Sequence, residues 1–103
     1  MRGPGAMQRL ERALAASAAR AGVTITIDDR AATAWCSATF SGARHILRGS
    51  APRGPALSRW LGALPETDLP LHGHVVADIV VAGVSRAAGR VDFRLEALTV
   101  ESG

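Results

Sequence analysis

From Met7 to Ala21 the apolar residues Met7, Leu10, Leu14, Ala18 and Ala21 recur at intervals of three or four. That spacing lines one face of an α-helix. Arg20 in the last turn and Gly22 beyond it supply the expected end. The period then falls to two. Val23, Ile25 and Ile27 alternate with Thr24, Thr26 and Asp28, predicting a half-buried strand that ends in an Asp28-Asp29-Arg30 turn. Thr33 to Ser41 predicts a second strand, with Ala34, Cys36, Ala38 and Phe40 on one face and Thr33, Trp35, Ser37 and Thr39 on the other. Ser41-Gly42 predicts a tight turn, Ala43 to Arg48 a short third strand, and Gly49 to Gly54 a loop. Pro55 suits the first position of a second helix. Its stripe is Leu57, Trp60, Leu61 and Leu64, and Pro65 stops it. Residues 65–70 then form a linker between two prolines. His72 to Val84 is the most apolar strand, Ser85 to Gly89 a hairpin loop, and Arg90 to Glu101 the last strand.

The expected fold class is α+β, in the order helix, three strands, helix, two strands. The simplest arrangement is a single two-layer domain, an antiparallel five-stranded sheet with both helices on one face. It spans residues 7–103, after a disordered segment at 1–6. In the last hairpin, Val91, Phe93 and Leu95 pack best beside Val75, Ala77, Ile79 and Val81, a register that needs an odd loop. The outer face then carries His72, His74, Val76, Asp78 and Val80 beside Asp92, Arg94, Glu96, Leu98 and Val100, with Trp35 extending it. After Ala97 the apolar phase passes to Leu98 and Val100, which implies a bulge or a strand end that faces a partner. Such a face is too apolar to be fully wet, and it predicts a homodimer contact through Trp35, Val76, Asp78, Val80, Arg94, Leu98 and Val100.

Composition narrows the picture further. The chain has 103 residues, 48% of them hydrophobic and 20% charged, which is ordinary for one globular domain. No apolar run approaches the ~20 residues of a membrane span, and the N-terminus lacks the apolar core of a secretory signal. All twelve basic residues are Arg, so the sequence pI of about 11.0 overstates a net charge of only +3. A single cysteine, Cys36, permits no internal disulfide and fits a reducing, cytoplasmic location.

Three constellations could carry chemistry. His72, His74 and Asp78 on one strand face would offer imidazole and carboxylate ligands to zinc or iron, with His45, Asp92 or Glu96 completing the set. Exposed histidines, and an Asp78–Arg94 pair, are the simpler reading. Residues 42–65 carry four Arg and no acid. Within them Arg44, Arg48, Ser50, Arg53 and Gly54 lead into a helix start, where free N–H groups attract anions or a nucleic-acid backbone. No phosphate-loop or dinucleotide motif accompanies them. A Cys36–His45 pair would need an exposed electropositive pocket to be nucleophilic, and Asp28-Asp29 sits in a turn that splays its carboxylates. The expectation is therefore a small binding or assembly protein with no catalytic activity and no cofactor, self-associating through its sheet. An anion or nucleic-acid module and a metal-dependent enzyme stand as alternatives, and the biological process is not readable from the residues.

Overall fold

The computed structural model describes residues 5–102. It is α+β, with two helices and one four-stranded antiparallel sheet. Helix α1 spans Ala6–Arg20, strand β1 Thr26–Cys36, strand β2 Ser41–Pro52 and helix α2 Pro55–Ala63, which runs into a 3₁₀ turn at Leu64–Glu66. Strands β3, His74–Ala87, and β4, Arg90–Glu101, close the sheet in the order β1-β2-β4-β3. The segment expected to be disordered lies outside the described residues up to position 4, and from Ala6 the chain is helical.

Four strands replace the expected five because one predicted break is not a break, and a second predicted break only lengthens a strand. Asp28-Asp29-Arg30 does not turn the chain. Ile27 pairs with Gly49 and Asp29 with Arg48, so Asp28 is an extra residue taken up as a bulge. The first two predicted strands are thus one, and the reversal falls at Ser37–Phe40, where the Ser37 N–H donates to the Phe40 carbonyl at 2.7 Å. Gly49 to Pro52 is likewise not a loop. All four residues pair with β4, and Gly49 and Ser50 pair with β1 as well. Gly49 is needed there, since an added Cβ would lie 2.6 Å from the Thr26 carbonyl oxygen and 2.9 Å from the Phe93 ring.

Burial alternates along β4. Val91, Phe93, Leu95, Ala97 and Thr99 are buried, while the intervening residues are exposed or half-buried. Leu10, Leu14 and Ala18 of α1 and Leu57, Trp60 and Leu61 of α2 join the same hydrophobic cluster as Leu47, Ile79 and the β4 row. Trp60 meets Phe93 edge-on, with ring centroids 6.3 Å apart, and donates its indole N–H to Ser17 Oγ at 3.0 Å. That bond ties the helices together and satisfies both buried polar groups.

The β3–β4 hairpin is closed by two residues, Ala88 and Gly89, both at positive φ, and not by a five-residue loop. The register expected for the core is reached in part: Val81 faces Leu95 and Ile79 faces Ala97, but Phe93 and Val91 face Val84 and Arg86, and Val75 and Ala77 are exposed, not in the core. An extra residue in β3, Ala82, supplies the odd offset that the turn does not. A second extra residue, Ala77, switches the phase again. The change of apolar phase at Leu98 is therefore not a bulge in β4, whose alternation is unbroken, and both bulges of this hairpin lie in β3.

Candidate interaction surface

The ladders place the outward residues in rows across the sheet. One row runs Trp35, Gly42, Val100, Val75; the next runs Thr33, Arg44, Leu98, Asp78; the next Ala31, Ile46, Glu96, Val80; the next Asp29, Arg48, Arg94, Gly83. Three of these apolar side chains are well exposed, Ile46 at 37%, Val80 at 38% and Val75 at 52%. Trp35, Leu98 and Val100 are half-buried. Gly42 leaves room for the indole: a Cβ there would sit 3.0 Å from Trp35 Cζ2 and would collide with the Thr99 carbonyl.

Six of the seven residues expected at a partner contact, Trp35, Asp78, Val80, Arg94, Leu98 and Val100, lie on this face. Val76 does not. The extra residue Ala77 turns it inward, where it packs against the core, and Val75 takes its place outside. Val75 and Ile46 are the residues the sequence did not point to. Val75-Val76 reads equally well in either phase, and Ile46 lies between Arg-flanked positions on a strand whose faces the sequence leaves undecided.

The polar groups on the face divide by side. The half formed by β1 and β2 carries Arg44, Arg48 and Asp29, and the half formed by β4 and β3 carries Asp78, Asp92, Glu96 and Arg94, so the first is basic on balance and the second acidic. Arg94 Nη2 bridges Glu96 Oε2 at 2.9 Å, so the expected Asp78–Arg94 pair is not formed and Asp78 lies opposite Leu98. Trp35 Nε1 and Arg94 Nε are buried and find no acceptor among the described residues. A buried donor left unpaired costs on the order of 1–3 kcal/mol.

The other expected constellations come apart. His72 precedes β3 in a turn at Gly73, whose φ is +77°, and is exposed. His74 lies on the inward side and Asp78 on the outward side of the Ala77 bulge, so the three cannot share an ion. Among the described residues no group of three His, Cys, Asp or Glu side chains is placed to hold a metal. The proposed anion-binding residues also separate. Arg44 and Arg48 stand on the outer face, Ser50 is buried and accepts from Arg90 Nη2 at 3.0 Å, and Arg53 and Gly54 line an open cleft with Leu57, Ser58 and Arg86. Cys36 is exposed near the hairpin tip, while His45 is buried opposite Ala32, roughly 13 Å along the ladder. They form no nucleophilic pair. His45 Nε2 lies 2.8 Å from Thr99 Oγ1, and its Nδ1 has no partner among the described residues. Burial, and secondarily the neighbouring His74, hold its pKa below the ordinary value.

No helix among the described residues is long and apolar enough to cross a membrane. No family model, curated protein or solved structure matches the chain.

Proposed function

We propose that the protein is a non-catalytic assembly module whose sheet packs face to face on a second copy. The observation that carries this reading is the outward apolar set of Trp35, Ile46, Val75, Val80, Leu98 and Val100, with Arg44 and Glu96 interspersed among them. Exposed apolar side chains mixed with a few charged ones are the composition of a protein contact. The division of charge favours a second copy as the occupant. A two-fold axis parallel to the strands lays β2 over the second copy's β4, and β1 over its β3. Arg44 then lies over Leu98, beside Asp78 and Glu96 of the second copy, while Arg48 lies over Arg94, whose charge Glu96 already offsets. Such an isologous contact is the common form of self-association. The reading takes the helices as one layer behind the sheet and a reducing, cytoplasmic setting for the lone thiol of Cys36.

Native mass spectrometry of the untagged chain over a concentration series tests it. The parent is expected to self-associate, and Trp35→Ala or Val80→Glu to lower the subunit number at equal concentration. Val80 is exposed, so its loss leaves the core intact. A parent that stays monomeric, or variants that keep the parent's mass, would overturn the reading.

A further inference from the structure

The two edges of the sheet are built differently. Strand β3 is an edge broken twice, at Ala77 and Ala82, with Asp78 and Arg86 along it. Bulges and charges of this kind keep an edge from pairing with other chains. Strand β1 is the opposite edge. Its bulge, at Asp28, and its charges, Asp28, Asp29 and Arg30, lie at one end. From Ala31 to Cys36 the ladder is regular, and no charged residue occurs between Arg30 and Arg44. Ala32, Ala34 and Cys36 are exposed, although they lie on the side that is buried elsewhere in the sheet.

The hydrogen-bond phase of this edge can be fixed. Ser37 donates to the Phe40 carbonyl, so Ser37 and Phe40 form a hydrogen-bonded pair. Antiparallel ladders alternate bonded and non-bonded pairs. Trp35, Thr33 and Ala31 therefore bond to β2, and the backbone groups of Cys36, Ala34, Ala32 and Arg30 point away from the sheet. At Arg30 the outward N–H is already taken by Asp29 Oδ1, at 2.9 Å. The open groups are those of Ala32, Ala34 and Cys36.

We propose that Ala32–Cys36 is a second self-association site, at which β1 pairs antiparallel with β1 of another copy and joins two sheets into one of eight strands. The proposal shares with the preceding section only the choice of a second copy as partner, and it concerns a different surface. The segment is self-complementary about Ala34. There Ala34 lies opposite its own counterpart, and Ala32 lies opposite Cys36. All three open residues meet open residues, giving about six backbone hydrogen bonds. Thr33 then stands opposite Trp35 on the outward side. The facing side chains at the seam are small, and Arg30 falls opposite Ala38, so no like charges meet. Because the other edge is blunted, the pairing ends at two sheets.

Ala34 is the residue to change. Its N–H points outward, so Ala34→Pro removes an edge donor without taking a bond from β2. Ala34→Glu leaves the backbone intact and sets two carboxylates against each other at the axis. Subunit number by native mass spectrometry, with circular dichroism to confirm the fold, is read for the parent, both variants and Val80→Glu. Either Ala34 variant, folded, is expected to lower the subunit number. In a Cys36→Ser background, Ala34→Cys is expected to oxidise to a disulfide-linked pair, since facing bonded residues lie about 5.5 Å apart at Cα. Folded Ala34 variants that keep the parent's mass, with Val80→Glu alone dissociating it, would overturn the edge site and leave the face contact standing. Dissociation by the Ala34 variants but not by Val80→Glu would do the reverse. A parent that is monomeric would remove both.

Discussion

His45 is the residue at which burial and chemistry conflict most plainly. Its side chain is closed from solvent, one ring nitrogen meets Thr99, and the other has no partner among the described residues. Burial first, and His74 second, depress its pKa below 6.5. Below that value the unfolded chain takes up a proton that the folded chain refuses, so stability is complete above about pH 6.5 and is lost as the pH falls toward the folded-state value. The melting temperature is expected to drop between about pH 7.5 and pH 5. His45→Gln, which keeps a polar group for Thr99 but does not titrate, should flatten that slope. An unchanged slope in the variant would place the dependence elsewhere. The sequence alone shows only a histidine on a short strand; its burial follows from β4 lying against β2, a pairing between residues some fifty positions apart.

At the scale of elements, the β3–β4 hairpin shows how one register is reached by two devices. Its turn puts Ala88 at φ +45° and Gly89 at φ +80°, the two-residue geometry for which Asn-Gly is preferred. An alanine in that region is strained by roughly 1–2 kcal/mol. Ala88→Asn is expected to recover about 1 kcal/mol, or roughly 4–8 °C in melting temperature for a chain of this size; no rise on thermal denaturation would show the turn to be relaxed by other means. Glycine near the loop end marked the hairpin in the sequence, but the turn's length was hidden, because Ser85 to Ala87 carry no sign of belonging to a strand. The same limit applied at Asp28-Asp29-Arg30 and at Gly49 to Pro52. Turn-forming residues predict turns, whereas pairing on one or both sides holds them in strands. The helices were legible because their stripes are local, and β4 was legible because its alternation is unbroken. The outward face was legible to the same extent: Val80, Leu98 and Val100 follow from alternation, but Val76 and Val75 exchange places at a bulge that leaves no mark in the sequence.

At the scale of the whole molecule, charge is distributed less evenly than a net +3 suggests. Residues 42–65 are wholly basic in their charged positions, and residues 66–103 are acidic on balance. Folding lays these segments side by side as β2 and β4, so opposite charges come together on one surface. This is why a basic segment in the chain does not become a basic patch in the fold. The extra residues Ala77 and Ala82 have a consequence at this scale too. Each is unpaired, so deleting both would keep every existing cross-strand partner and straighten β3. The deletion variant is expected to fold, but its β3 edge would be as regular as the Ala31–Cys36 stretch of β1. In this antiparallel sheet β1 and β3 run in opposite directions, so copies could add head to tail in one continuous ladder. Thioflavin-positive fibres from the doubly deleted chain, and none from the parent, are the expected result. Two unpaired alanines would then be what keeps the β3 edge from extending the sheet without limit.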